Sequence, residues 1–374
     1  MSLLKIPAAE IPKFRRRLLS WFAQSKRDLP WRRTSNPYRI WLSEIMLQQT
    51  RVAAVIPYYE RFLKAFPDVG ALASAKPDLV LANWAGLGYY SRARNLQSAA
   101  KEIVTRHAGE FPRKYEAALA LPGIGHYTAA AVLSIAYGAP HAVLDGNVAR
   151  VIARIGALHG DLRTPATWAK LADTAQDLLA RKLAGDWNQS IMELGATVCT
   201  PKSPRCEVCP AEKWCRARKL GLQKNLPAAR VKRATVAVTI AAAVLLDERG
   251  RTLLVRHPGE EGALFSHMWQ FPALKVTGME ASAALAAHLR EKYSVATNGN
   301  IEPLAAARHT VTFRAIRLEP YLIRVASLPR IKGARIVPLG DVNSMSISNA
   351  TRKISEVAQP LLAVRFSQLT VRER

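Results

Sequence analysis

The four cysteines of this chain fall within one short segment, in the pattern Cys199-x6-Cys206-x2-Cys209-x5-Cys215. Thiols grouped in this way suit metal ligation in a reducing cytosol better than the disulfides of secreted proteins. Structural zinc sites usually pair their ligands in two C-x2-C knuckles, and only Cys206 and Cys209 form such a pair. One segment that carries four thiolates can instead wrap around an iron–sulfur cube. The spacing therefore favours an iron–sulfur cluster over zinc.

Two carboxylates stand where they could serve as a proton donor and as a stabiliser of positive charge. Glu44 lies four residues after Ile40 and three before Leu47, so a helix would place it beside large apolar groups. Glutamates in amphipathic helices are usually solvated, but burial would raise the pKa of Glu44 and keep a proton available near neutrality. Asp145 precedes Gly146 and a clear helix, where an aspartate is most often the N-cap. A capping carboxylate stays ionised and can stabilise a neighbouring cation.

The segment at residues 121–145 (LPGIGHYTAAAVLSIAYGAPHAVLD) is the turn that should position these groups. We expect a short helix over residues 113–121 and an Ala-rich helix over residues 126–137, joined by a tight turn. Glycine permits positive φ and leaves no side chain over the backbone. The amides of Gly123 and Gly125 can then hold a phosphate oxygen at the N-terminus of the second helix. An ordinary glycine-capped turn between helices is the alternative.

The length and charge of the chain indicate how many domains it has and what kind of partner it binds. At 374 residues the chain is longer than one core normally serves, which favours two domains. Its 54 Lys and Arg against 28 acidic residues give a formal charge of +26. Such an excess favours a polyanionic partner, because each neutralised phosphate releases counterions. A membrane would also attract this charge, but the sequence contains no long apolar run and no signal-peptide pattern. We expect a cytoplasmic protein without a membrane partner.

The sequence pattern changes at residues 223–235 (QKNLPAARVKRAT), which are basic, contain a proline and have almost no large apolar residues. We interpret this segment as a linker. Beyond it the apolar period becomes that of strands, in VAVTIAAAVLL, RTLLVR, WQFPALKV and YLIRVASL, with one helix at Ala281–Tyr293. The pattern indicates an α+β domain.

Two segments, LPGIGHYTA at residues 121–129 and WLSEIMLQQT at residues 41–50, resemble the endonuclease III superfamily of helix-hairpin-helix DNA glycosylases. Within it the chain is similar to the adenine DNA glycosylases of the MutY family, strongly from Ile11 to Arg218. The resemblance implies a monofunctional enzyme of base excision repair, which removes adenine opposite 8-oxoguanine or guanine by hydrolysis. It also implies double-stranded DNA as the partner, a monomer and a bacterial-type, nucleoid-associated protein.

The same resemblance implies a domain plan. Residues 1–222 would form an all-α helix-hairpin-helix glycosylase domain, whose four-cysteine loop at residues 199–215 carries a [4Fe–4S] cluster. After the linker at residues 223–235, residues 236–374 would form an α+β Nudix-like domain for damage recognition. The glutamates that a Nudix hydrolase needs for its metal are missing after Glu291, so we expect no pyrophosphatase activity.

Roles for single residues follow from the resemblance as well. Glu44 would be the general acid and Asp145 the carboxylate beside a cationic sugar, with Tyr127 and Asn147 orienting them. The remaining implied roles are adenine contacts by Arg27, Leu29, Trp31 and Gln189, DNA contacts by Gln49, Tyr89, Gly123 and Gly125, and cluster ligation by Cys199, Cys206, Cys209 and Cys215. Taken alone, a solvated charge cluster at Arg27, a buried tyrosine pair at Tyr89 and a surface Gln189 are ordinary interpretations.

The loop that reads 8-oxoguanine is harder to locate. MutY proteins use a Phe-Ser-His loop, and Phe265-Ser266-His267 spells that tripeptide. This tripeptide precedes a Trp-x-Phe-Pro segment, however, whereas the reading loop should follow the Arg-His-Thr at residues 308–310. There the chain has Val311-Thr312-Phe313, so we expect the Thr312 hydroxyl to read the oxidised base.

Two other functions stay open at this point. An endonuclease III-like glycosylase and lyase for oxidised pyrimidines would use a lysine amine where the hairpin has Tyr127. A DNA-binding protein that carries a cluster and has no chemistry would not need both Glu44 and Asp145 in matching segments. The sequence disfavours both.

Overall fold

The computed structural model describes residues 3–4, 6–228, 234–256, 265, 268–277, 280–297 and 300–362. Its contacts divide the chain into two compact units. The first unit comprises Met1–Ala75 and Tyr89–Val231, and the second comprises Lys76–Gly88 and Lys232–Arg374. Within the described ranges, no helix has both the length and the apolar character needed to cross a membrane.

Helices make up the regular structure that precedes the sheet. In chain order they are α1 (Ile11–Ser25), α2 (Pro37–Leu47), α3 (Val52–Ala65), α4 (Val69–Ser74), α5 (Pro77–Trp84), α6 (Ser91–Arg106), α7 (Tyr115–Leu119), α8 (His126–Tyr137), α9 (Gly146–Gly156), α10 (Pro165–Leu178), α11 (Ala184–Thr197) and α12 (Arg216–Lys219). All belong to the first unit except α5, which belongs to the second unit although it falls within the stretch predicted as the glycosylase domain. In the second unit, Asp78 of α5 accepts a hydrogen bond from Arg256 at 3.0 Å.

Local sequence explains where several of these helices begin and end. The Asn36 side chain accepts from the backbone N–H of Arg39 at 3.1 Å, so α2 starts with an asparagine N-cap and with proline in its first turn. Helix α8 has the predicted bounds and ends at Gly138, whose φ of 69° is left-handed. Helix α7 is shorter than predicted and begins at Tyr115 instead of residue 113.

Helix α11 lies at the centre of the first unit, against α1, α8 and α9. Its Trp187 is buried and meets Phe14 of α1 edge to face, with ring centroids 5.8 Å apart. Phe14 makes a second edge contact with Trp214 at 5.4 Å, which ties the cysteine segment to the same core. Aromatic pairs with this geometry stabilise a core by about 0.5–1.5 kcal/mol beyond their burial.

The second unit is built on a mixed β-sheet with a helix against each face. The described strands are β1 (Val236–Leu246), β2 (Arg251–Arg256), β3 (Trp269–Gln270), β4 (Ala273–Val276), β5 (Glu302–Pro303), β6 (Ala307–Val311), β7 (Arg314–Arg324) and β8 (Ala334–Pro338), and the helices are α13 (Ala281–Tyr293) and α14 (Asn349–Ala358). Strands β1 and β7 run parallel in register from Val236 opposite Arg314 to Leu246 opposite Arg324. Alternate residues of β1 enter two different cores, one with α13 and one with α14.

The structure confirms the predicted α+β class and the bounds of β1, β2 and α13. The predicted strand WQFPALKV is instead two strands, β3 and β4, because Pro272 has no N–H to donate to a ladder. The strand predicted at YLIRVASL begins earlier, at Arg314, and ends at Arg324. Helix α14 was not predicted.

Candidate active site

A cavity of about 550 Å³ opens in the first unit between α2, α8, α11 and the start of α9. Nine of the residues singled out in the sequence line it: Arg27, Leu29, Trp31, Glu44, Gln49, Tyr127, Asp145, Asn147 and Gln189. They come from segments up to about 160 residues apart in the chain, and both candidate carboxylates are among them. A cleft of this size with a few convergent polar groups is typical of a site for a small molecule or a base.

Glu44 has the burial that a proton donor near neutrality requires. Its side chain lies on the inner face of α2 and the residue is 4% exposed. The Tyr127 hydroxyl donates a hydrogen bond to Glu44 Oε2 at 2.7 Å. Burial raises the pKa of Glu44 to about 7, even though the tyrosine hydrogen bond acts in the opposite direction, and the charge of Asp145 raises it further. Close to neutrality this carboxyl therefore exchanges a proton readily.

Tyr127 remains a hydrogen-bond donor at any ordinary pH. Burial and the charges of Glu44 and Asp145 raise the pKa of its phenol well above the usual range. The phenol therefore orients Glu44 without competing with it as a proton source.

Asp145 is the N-cap of α9, as the sequence indicated. Its Oδ1 accepts from the backbone N–H groups of Asn147 at 2.9 Å and Val148 at 2.7 Å. Its Oδ2 accepts from Asn147 Nδ2 at 3.1 Å, and Asn147 Oδ1 accepts from Arg150 at 2.8 Å. The cap fixes the carboxylate at the cavity wall, so one residue both starts the helix and lines the cavity.

The wall of the cavity formed by α11 contains a carboxylate that was not among the predicted site residues. Glu193 of α11 lines the cavity with a side chain that is 1% exposed. It accepts two hydrogen bonds of 2.7 Å from Arg27 and one of 2.8 Å from Arg32. Burial would raise the pKa of Glu193, but these arginines hold it at about 2. Glu193 lies four residues after Gln189 on the same helix, and that spacing was the signal that could have revealed it.

The ion pairs with Glu193 also fix the position of the segment at residues 27–32. Both the Nε and Nη2 donors of Arg27 are directed at Glu193, so the guanidinium is anchored to the wall. Leu29 and Trp31 are buried, and Trp31 meets Tyr59 edge to face at 5.4 Å. Gln189 lies half-buried on the same wall. This wall therefore combines apolar surface with a fixed carboxylate and an amide.

Two residues predicted to enter DNA occupy the left-handed backbone region that non-glycine residues seldom adopt. Gln49 has a φ of 58° directly after α2, and Tyr89 has a φ of 48° just before α6. Tyr89 is 47% exposed, which is unusual for so large an apolar residue. Both are therefore presented by tight turns.

The turn between α7 and α8 exposes its glycines while Ile124 between them is buried. Gly123 has a φ of 74°, and a Cβ there would lie 2.7 Å from Cβ of Asn95. No heavy atom lies within 4 Å of the Cβ position at Gly125, which is the N-cap of α8. Gly123 is thus required by backbone geometry and packing, and Gly125 leaves open surface at a helix N-terminus.

All four cysteines are unpaired and line one small cavity of about 20 Å³. Arg154 of α9 also lines this cavity, and it donates to Cys199 Sγ at 3.3 Å and to the carbonyls of Thr200 and Pro201. Among the described residues, no three His, Cys, Asp or Glu side chains have the arrangement of a formed metal site. The donor set, four thiols converging on one cavity with an N–H···S contact, fits an iron–sulfur cluster.

In the second unit, Thr312 occupies the tip of the turn between β6 and β7, with a φ of 54°. It is exposed, and its hydroxyl donates to the carbonyl of Val311 at 2.7 Å. Of the alternative tripeptide, Phe265 is partly buried with its ring 5.8 Å from that of His309. Ser266 and His267 lie outside the described residues.

The chain is similar to known DNA repair proteins. Residues 42–176 match the family model described as the HhH-GPD superfamily base excision DNA repair protein. The chain is 48% identical over 227 residues to the adenine DNA glycosylase of Homo sapiens, which covers 58% of this chain and 42% of the human protein. It is 32% identical over 406 residues to the adenine DNA glycosylase of Rattus norvegicus, covering 93% of this chain and 78% of the rat protein.

Among solved structures, a thermostable thymine-DNA glycosylase superposes with a TM-score of 0.52 and 29% identity. That match covers 57% of this chain and 98% of the other. It thus relates more than half of the chain to the fold of a DNA glycosylase. The chain belongs to the family of adenine DNA glycosylases, within the HhH-GPD superfamily of base excision DNA repair proteins.

Proposed function

We propose that this chain hydrolyses the N-glycosidic bond of adenine opposite 8-oxoguanine or guanine in double-stranded DNA. One observation carries the proposal: a buried Glu44 with a pKa of about 7 shares a cavity with the capped carboxylate of Asp145. A purine that is extruded from the duplex would enter that cavity. Extrusion costs a few kcal/mol and costs least at a mismatch, which favours mispaired adenine.

In the proposed reaction Glu44 gives its proton to a ring nitrogen of adenine. The bond between the sugar C1′ and the base then breaks, and adenine leaves as a neutral molecule. The Asp145 carboxylate stabilises the cationic sugar, as carboxylates do in glycoside hydrolysis. Water adds to C1′ and its proton returns to Glu44. Tyr127 and Asn147 keep the two carboxylates in position through the hydrogen bonds given above.

The same cavity favours hydrolysis without a lyase step. A lyase needs an amine that forms a Schiff base with the sugar. In the part of the chain that the structure describes, the residues lining the cavity include no lysine, and Tyr127 occupies the hairpin position where a lysine would be expected. We therefore propose a monofunctional enzyme that leaves the DNA backbone intact.

Contacts with the duplex would come from two turns and the hairpin. Gln49 and the exposed Tyr89 would enter the stack beside the extruded adenine. The amides of Gly123 and Gly125 would hold a phosphate at the N-terminus of α8. The second unit would read the base opposite adenine, with Thr312 at its hairpin tip. In this proposal the enzyme works as a monomer in a reducing cytosol.

The four cysteines would hold a [4Fe–4S] cluster, and the cluster would fix their loop rather than take part in hydrolysis. Arg154 contacts Cys199 and would donate to the cluster's thiolate shell. Elemental analysis of the purified chain should find iron. A fully active, colourless preparation that contains zinc would exclude this cofactor.

The test uses duplexes with adenine opposite 8-oxoguanine, adenine opposite guanine, and an oxidised pyrimidine opposite guanine. We expect adenine release from the first two, strand breaks only after alkali, and no adduct on borohydride treatment. Excision of the pyrimidine or strong borohydride trapping of the unmodified chain would contradict the proposal and favour an endonuclease III-like lyase.

A further inference from the structure

Arg92, in the first turn of α6, reaches across to the end of α2. The residue is 9% exposed. Its Nη1 donates to the carbonyls of Ile45 at 2.7 Å, Met46 at 3.0 Å and Gln48 at 2.7 Å, and its Nη2 donates to Thr50 Oγ1 at 3.3 Å. The last carbonyls of a helix have no partner within the helix and attract positive charge. The guanidinium of Arg92 on α6 thus caps the C-terminal carbonyls of α2.

The turn that Arg92 holds is the one that presents Gln49. Two of its acceptors, the Gln48 carbonyl and the Thr50 hydroxyl, flank that residue directly. Gln49 has a left-handed φ of 58°, a conformation that costs free energy unless its surroundings impose it. Bonds on both sides of Gln49 supply that constraint.

Arg92 also contacts the second duplex-facing turn. Its guanidinium carbon lies 5.6 Å from the ring centroid of Tyr89, and its backbone N–H donates to the Tyr89 carbonyl at 2.9 Å. The Tyr89 φ of 48° is left-handed as well. Burial lowers the pKa of Arg92 to about 10, so the side chain is still charged at neutral pH. The two turns, about 40 residues apart in sequence, therefore share one buried cation.

We propose that Arg92 is a positioning residue that locks the Gln49 turn and the Tyr89 turn together, so that both enter the duplex as one rigid unit and extrude the base. This inference rests on the proposed function. Arg92 does not act on the bond that breaks, because it is absent from the residues that line the cavity. Its burial also keeps it from serving as a phosphate contact.

The first experiment measures extrusion separately from chemistry. The variants Glu44→Gln and Glu44→Gln/Arg92→Lys are compared on a duplex with 2-aminopurine opposite 8-oxoguanine, whose fluorescence rises when the base leaves the stack. Lysine keeps the charge but its single nitrogen cannot reach all four acceptors. We expect at least a threefold smaller fluorescence change at saturating protein, with duplex affinity within threefold. An unchanged fluorescence signal would overturn the inference.

The second experiment uses the catalytically intact chain. Arg92→Lys should lower single-turnover excision of adenine about tenfold without moving its pH dependence, since Glu44 keeps its surroundings. Arg106→Lys is the matched control, because Arg106 lies on the same helix with a side chain that is 74% exposed. Misfolding of the variant would lower the fraction of active protein but would not change the excision rate of the molecules that fold. Active-site titration therefore distinguishes misfolding from slower excision. A shifted pH profile would contradict a purely positioning role.

A double-mutant cycle tests the coupling itself. In a Gln49→Ala background, Arg92→Lys should cost clearly less than tenfold in excision, because one of the two residues that it positions is gone. An undiminished tenfold loss there would contradict the inference.

Should Arg92→Lys fail to fold, Thr50→Val is a second variant that removes one acceptor of Arg92. It should also reduce extrusion, whereas unchanged extrusion would count against the coupling. Failure of the unmodified chain to excise adenine would instead contradict the proposed function, and the fluorescence measurement would still decide on Arg92.

Discussion

The two walls of the cavity each carry a buried glutamate, and the two differ in almost every property that matters for chemistry. Glu44 on α2 meets a neutral hydroxyl, and burial raises its pKa to about 7. Glu193 on α11 meets Arg27 and Arg32, which hold its pKa at about 2. Burial raises the pKa of both carboxyl groups, so the hydrogen-bonding partner of each decides its final pKa. One wall therefore offers a proton at neutral pH and the other a permanent negative charge.

This difference separates two tasks that a base-excising site must perform. The proton donor has to hold a proton near neutral pH, which requires that burial destabilise its charged form. The α11 wall has to keep its shape, and an ion pair with Arg27 and Arg32 is directional and rigid. The same residue type does both because the neighbours, not the carboxyl group, set the protonation state.

The largest expected effect comes from Glu44→Gln, which removes the only proton donor proposed for the reaction. Single-turnover excision of adenine should fall by about 10²–10⁴-fold, the usual contribution of a general acid. Duplex affinity should stay within about tenfold, because the amide keeps the shape of the side chain. Excision at a rate near that of the unmodified chain would show that Glu44 is not the acid.

Substitution of the other glutamate should affect stability instead. Glu193→Gln leaves two arginines without their carboxylate and should lower the free energy of unfolding by about 3 kcal/mol. We take the lower end of the range for buried pairs because the Arg27 side chain is 38% exposed. Glu44→Gln should stabilise the protein at pH 8, since it removes a buried charge. Denaturant unfolding of both variants measures these changes in the free energy of unfolding. The comparison fails if both substitutions change that free energy in the same direction.

The pH dependence of excision should report Glu44. The reaction needs the protonated form, so the rate should decline as the pH rises through about 7. In Tyr127→Phe the hydrogen bond that lowers the pKa of Glu44 is lost, so the declining limb should move to higher pH. Stability follows the same group: between pH 4.5 and 7 folded Glu44 binds more protons than the unfolded chain, so its contribution weakens as the pH rises. A pH profile that is flat from 6 to 9 would contradict this account.

The smallest effect should come from the second unit, where the proposed reading group is exposed to water. Thr312→Ala should reduce the preference for 8-oxoguanine over guanine opposite adenine by about 1 kcal/mol, the low end for one base-edge contact. Excision rates on both duplexes measure this preference. Ser266→Ala is the control and should leave it unchanged. If Ser266→Ala is the damaging change, the Phe265-Ser266-His267 tripeptide is the reading loop.

Local features of the molecule were predictable because they depend on neighbours in the chain. Asp145 was predicted as the N-cap of a helix, and its side chain accepts bonds from the backbone N–H groups of Asn147 and Val148. The bounds of α8, β1 and α13 follow from apolar period and glycine. The assignment of α5 to the second unit did not follow, since the helix lies in sequence among helices of the first.

The sequence by itself determined which residue types are available: a glutamate in WLSEIMLQQT, an aspartate before α9 and four cysteines in one segment. The residue pattern alone could not distinguish Glu44 from Glu193, because each is an acid on a helix with apolar neighbours. Their partners are 83 residues away for Tyr127 and 166 residues away for Arg27. A pKa is set by desolvation and by charges that are near in space. Only the tertiary structure brings those groups together, so only it decided which glutamate holds a proton and which forms the wall.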